Sequence, residues 1–227
     1  MVAVKGPAQG DAATPPEGWD TTTEKTGAPP GIDQGWGYAP GATWHPDLDK
    51  YPFSLARKVV TDNLADGVFA RWLSRIEKSV AEELTKPAYA GLSKAETVAA
   101  LRKALGREEL YPAAVLPPQW KERMGAQTHA VMVSDYDLIK QAVSRQGQDF
   151  EALHYLSVQQ VLDDARVVVG ENAQMTIFVS NAAGKWYAAI LQRTETGKGV
   201  FFKSFRRSTE KDARRQAQKG EVWKSDL

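Results

Sequence analysis

The apolar residues of this chain change period once, near Asp164, and that switch constrains the fold more than any other feature of the sequence. Before it, apolar side chains recur every three to five residues, the spacing of one helix face; after it they alternate, the spacing of a strand with one buried side. Arg166–Val169, Gln174–Ser180, Trp186–Arg193 and Val200–Phe205 make four β-type runs, separated by turns at Gly170–Asn172, Asn181–Gly184 and Thr194–Gly199. Loops this short join antiparallel neighbours, because a parallel crossover needs roughly a dozen residues or more. The expected class is α+β: an N-terminal extended segment and helices, then helices packed on a four-stranded antiparallel sheet.

Helical spacing begins after Pro52. Leu55, Val59, Leu64, Val68, Trp72 and Ile76 mark one stripe, with Gly67 as a break. Ser93 followed by Glu96 is a capping box, in which each side chain satisfies the other's free backbone amide. Val98, Leu101 and Leu105 line the buried face of that second helix, and Gly106 closes it. Ala113–Leu116 lies between Pro112 and Pro117 and reads as an edge strand, since proline cannot donate to a ladder. His129–Val133 reads as another strand. Ser134 with Asp137 caps a helix through Ser144, and Ser157 with Gln160 caps one ending near Asp164. Ser208–Lys219 is a polar helix candidate.

Residues 1–52 read as a Pro- and Gly-rich linker, broken at Pro15-Pro16, Pro29-Pro30 and Pro40-Gly41. Trp36, Tyr38, Trp44 and Tyr51 make its end an aromatic docking segment. Residues 53–110 form a helical region, and 111–227 an α+β domain. The chain has no cysteine, which excludes disulfides, thiolate zinc sites and cysteine nucleophiles. Its three histidines, His45, His129 and His154, lie too far apart in sequence to suggest a metal site, so neither metal nor cofactor is expected. No apolar run approaches the roughly 18 residues of a membrane span. The glycines never fall in a phosphate-loop spacing. Charge is nearly balanced overall, with 29 Lys and Arg against 28 Asp and Glu. From Arg193 to Leu227, however, ten basic residues face five acids, a surplus that suits a polyanionic partner.

Ile32–Gly41, with its Trp-Gly-Tyr-x-Pro-Gly core, followed by Trp44 and Pro46–Leu48, resembles the segment that closes the conserved part of phage Mu F-like minor head (head-morphogenesis) proteins. Ala113–Leu116, Gly125-Ala126, Val131–Ser134, Leu138–Lys140, Phe150–Tyr155 and Phe202–Arg206 are similar to the C-terminal extension often found there. That extension is classed with phage versions of the barnase–EndoU–colicin–RelE-like ribonuclease fold. The resemblance covers roughly residues 32–50 and 111–207, and implies a phage head or portal partner, RNA in preference to DNA, and a place in the virion or the host bacterial cytoplasm. Where the family's helix commonly carries Lys-His, this chain has Lys140-Gln141, an amide in place of the imidazole.

Metal-free RNA cleavage needs a base for the 2′-hydroxyl, a cation for the developing charge and an acid for the leaving oxygen. By strand alternation Ser204 and Arg206 point together, with Val200 and Phe202, while Lys203 and Arg207 point the other way. Arg206 suits a phosphate clamp, Ser204 can hydrogen-bond beside it, and either Gln192 or Arg193 lies near Ser204. The resemblance places Lys140 over this sheet as a second cation or an acid/base, and His154 is a candidate replacement base. Three functions fit these residues: a head-associated protein whose ribonuclease-like domain cleaves RNA, the same fold as a non-catalytic structural or nucleic-acid-binding head component, and an antibacterial toxin domain.

Overall fold

Proline and glycine set the first boundaries. The computed structural model describes residues 37–38, 48–146 and 152–227; Trp36, Trp44, His45 and Phe150 lie outside them. Helix α1 (Phe53–Ala65) starts after Pro52, and Gly67 turns the chain into α2 (Val68–Leu84) at a φ of 71°, a left-handed conformation natural to glycine. The expected stripe holds in α2, where Trp72 is buried beside Phe69 and Leu73. In α1 it is rotated by one position: Ala56 and Val60 are buried, and Leu55 is 43% exposed. Spacing defines a stripe but not which of its edges meets the neighbouring layer. Helix α3 (Lys94–Leu105) carries the complete capping box, with Ser93 Oγ accepting from Glu96 N and Glu96 accepting from Ser93 N.

The sheet is larger than expected and it is mixed. Its strands are β1 (Gly37–Tyr38), β2 (Glu109–Val115), β3 (Ala130–Ser134), β4 (Val167–Glu171), β5 (Gln174–Ser180), β6 (Trp186–Arg193), β7 (Val200–Ser208) and β8 (Glu221–Ser225). Their order is β1-β2-β3-β7-β6-β5-β4-β8, eight strands with the two-residue β1 at one edge. The four expected runs are the antiparallel meander β4–β7. The four-stranded antiparallel expectation fails on both sides of that meander. On one side β3 joins β7 in parallel, and β2 and β1 follow. On the other, β8 covers β4.

Two local features of the sheet involve Pro112 and Gly170. Beyond Leu110 the outer side of β2 has no strand partner among the described residues, so Pro112 lies at a sheet edge as expected; it also sits where the β2–β3 register slips, a position that tolerates the missing amide. Gly170 is not a turn residue. It lies inside β4, where an added Cβ would come within 2.1 Å of the Trp223 indole on β8. The hairpin turn falls at Asn172, φ 55°.

Both sheet faces are covered by the remaining helices, α4 (Pro118–Met124), α5 (Asp135–Ser144), α6 (Val158–Asp163) and α7 (Glu210–Ala217), together with α1 and α2. On one face Met175, Ile177, Leu191, Phe202 and Phe205 share a buried cluster with Phe69, Trp72 and Leu73 of α2. On the other, Ala213 of α7 covers Val169, Phe178 and Ala188, while Ala56 and Val60 of α1 cover Met132 and Phe201. The end of the aromatic segment docks here as well: Leu48 is fully buried, and the Asp49 carboxylate accepts from Thr128 Oγ1 at 2.7 Å. Ser157 precedes α6, but its side chain makes no capping bond.

Candidate functional site

The expected alternation along β7 breaks at Lys203. Phe202 stands opposite Leu191 and Ser204 opposite Ile190, so Lys203 is an extra residue bulged from the ladder. Phe202 and Phe205, three apart, therefore bury on the same face. Ser204 and Arg206 still point together, as expected, but Phe202 does not point with them. Through their cross-strand partners, Ser204 and Arg206 share a face with Ile190, Gln192 and Gln174.

Helix α5 reaches this face because the β3–β7 ladder is short. Only Val131–Val200 and Met132–Phe201 pair, so beyond Phe201 the edge of β7 needs another partner. Helix α5, capped by Ser134 as expected, continues from β3 and supplies it: Gln141 Nε2 donates to the Lys203 carbonyl at 3.1 Å. The amide at position 141 thus performs a backbone-satisfying task.

Together α5, β6 and β7 border an open cavity of about 440 Å³, in which Lys140 and Arg206 are exposed. Lys140 and Arg145 line it from the helix, and Lys203, Ser204 and Arg206 line it from β7. Gln174 and Gln192 complete the wall. Arg145 Nη2 lies 3.4 Å from Ser204 Oγ. Burial, and then the neighbouring Arg206 cation, push the Arg145 guanidinium below its ordinary range. Lys203 is neutralised: its amine lies 2.9 and 3.0 Å from the two oxygens of Asp137, a carboxylate that also accepts from Ser134 Oγ at 2.8 Å. Burial lowers the Lys203 amine, with Asp137 opposing. Lys140, Arg145 and Arg206 have no carboxylate partner among the described residues. Three cations from two elements converge there with hydroxyls and amides, and among the described residues no carboxylate lines the site.

Lys140, Ser204 and Arg206 therefore meet in one cavity, and of the two neighbours considered for Ser204 it is Gln192 that lines it. His154 lies elsewhere, in a cleft on the opposite face beside Tyr187 and Phe205. Sequence reasoning missed Arg145 and Lys203. Arg145 is the C-cap of α5, five residues after Lys140 and off its helical face, so helix spacing does not pair them; the bulge that turns Lys203 inward has no sequence mark either. His129 Nδ1 is 3.0 Å from the Leu116 carbonyl, a structural tie between β3 and the end of β2. Among the described residues no group of three His, Asp or Glu side chains is placed to hold a metal, and no helix is long and apolar enough to cross a membrane. No protein-family model and no solved structure matches this chain.

Proposed function

We propose that this chain is a phage head-associated protein whose C-terminal α+β unit grips the phosphates of RNA in the cavity between α5 and β7, binding the strand rather than cleaving it. The observation that supports this most is the convergence of Lys140, Arg145 and Arg206, none with an acidic partner among the described residues, on a pocket that also offers Ser204, Gln174 and Gln192. Like charges held this close repel one another, and a bound anion relieves that repulsion. Guanidinium groups fork onto phosphate oxygens, while hydroxyls and amides donate to the rest.

Cleavage has weaker support. Among the described residues the lining contains neither imidazole nor carboxylate, and His154 lies across the sheet. One observation favours it as a second reading: Lys203, whose amine burial lowers, adjoins Ser204 and Arg206 and could exchange a proton there.

Fluorescence anisotropy with a labelled single-stranded RNA, repeated across a salt series, tests the binding reading. Phosphate contacts make affinity fall steeply with salt, and Arg145→Ala or Arg206→Ala should each flatten the logarithmic slope by about one. Affinity that ignores salt, or variants with the original slope, would remove the phosphate site. Release of fragments from the same RNA, abolished by Lys203→Met, would move the conclusion to the nuclease reading.

A further inference from the structure

The sheet face opposite the cationic cavity holds a second cleft, of about 470 Å³, between α6 and strands β5–β7. Its floor is aromatic. Tyr187 is the ring it presents, backed by the buried Phe205 with centroids 5.6 Å apart and planes 24° from parallel, and the Arg207 guanidinium lies 5.6 Å from the Tyr187 ring centroid. Val161 and Val179 add hydrocarbon to its walls. The rim is polar and its hydrogen-bonding directions are largely set. Asn181 Oδ1 accepts from the amides of Ala183 and Lys185 at 3.1 and 2.9 Å, so the Asn181 Nδ2 group is the donor it presents to a ligand. Gln160 Nε2 donates to Asp164 Oδ2 at 3.2 Å, which makes acceptors of Gln160 Oε1 and Asp164 Oδ1.

A flat apolar floor, a cation beside it and a rim carrying both donor and acceptors suit a planar heteroaromatic ring with polar edges. An aliphatic ligand would use the floor and leave the rim without partners, and a phenyl ring would do the same. We propose that this cleft is a nucleobase pocket, in which one unstacked base lies against Tyr187 and its edge meets Asn181, Gln160 and Asp164. Phe205, Arg206 and Arg207 are consecutive on β7, so one strand end serves the base on one face and the phosphate on the other. Placing the base within an RNA strand rests on the proposed phosphate site; the pocket itself does not.

Titration of the full chain, isotope-labelled for NMR, with adenosine, guanosine, cytidine and uridine tests the pocket without any phosphate. Saturable shifts of the Asn181 side-chain amide and the Tyr187 ring are expected with at least one nucleoside. Base–aromatic stacking tolerates loss of the hydroxyl but not of the ring, so Tyr187→Phe should retain binding and Tyr187→Leu should weaken it about tenfold. Gln160→Ala, at an exposed helix position, gives an independent variant if Tyr187→Leu folds poorly, and should weaken binding about threefold through one lost hydrogen bond. In an RNA oligonucleotide, Tyr187→Leu should lower affinity while leaving the salt slope unchanged. No saturable shift with any nucleoside, or full binding by both Tyr187→Leu and Gln160→Ala, overturns the pocket. Nucleoside binding without oligonucleotide binding would keep the pocket and discard the phosphate reading, and the reverse result would do the opposite.

Discussion

Replacing Lys203 by methionine should destabilise the protein by about 3 kcal/mol, because it strands a carboxylate. The Asp137 side chain is 3% exposed and the Lys203 side chain 10%, and the amine contacts both carboxylate oxygens. Breaking such a pair from one side costs roughly 3–5 kcal/mol, most of it from the uncompensated charge left behind. The lower end applies here, since Ser134 Oγ still donates to Asp137 and methionine fills the space of the lysine stem. Urea unfolding of the full chain measures the loss. Lys203→Met combined with Asp137→Leu should recover most of the stability, because a well-packed apolar pair often equals a buried ion pair. A loss under about 1 kcal/mol for the single variant, or a double variant as unstable as the two singles added, would refute this account.

Burial raises the Asp135 carboxyl to about 6, with Oδ2 accepting from Arg107 N at 2.7 Å. A raised folded value makes stability fall as pH rises from the unfolded value of about 3.9 toward about 6. Asp135→Asn should therefore flatten that window and stabilise the protein by on the order of 2 kcal/mol at pH 8, as thermal unfolding against pH would show. Gly170→Ala should cost about 1–3 kcal/mol by forcing β8 outward, and Trp223→Ala in the same chain should recover part of it in a urea titration. Ser93→Ala should cost about 1 kcal/mol through loss of the α3 cap, read by the same titration.

The resemblance to a ribonuclease-like extension directed attention to Lys140, Ser204 and Arg206, and the folded chain brings all three to one cavity. It could not have indicated that Gln141, at the position of the family's imidazole, serves the Lys203 carbonyl instead. That role exists only because the β3–β7 ladder ends after two residue pairs, a property of two strands more than sixty residues apart.

What the sequence determined by itself is whatever depends on neighbours within a turn or two. Gly67 ends a helix, Ser93 and Glu96 start one, Ser134 starts another, and the alternation after Asp164 makes a meander, because period and capping are local steric and hydrogen-bonding effects. How far the sheet extends and what its ends expose are set by contacts between distant segments. Pairing of β3 with β7, the cover of β8 over Gly170 and the bulge at Lys203 arise from long-range hydrogen bonding and packing, which leave no periodic trace in the chain. The same holds for charge: an excess of basic residues was visible in the sequence, but the partial burial of Arg145 and its convergence with Arg206, neither with an acidic partner among the described residues, are properties of the folded surface alone.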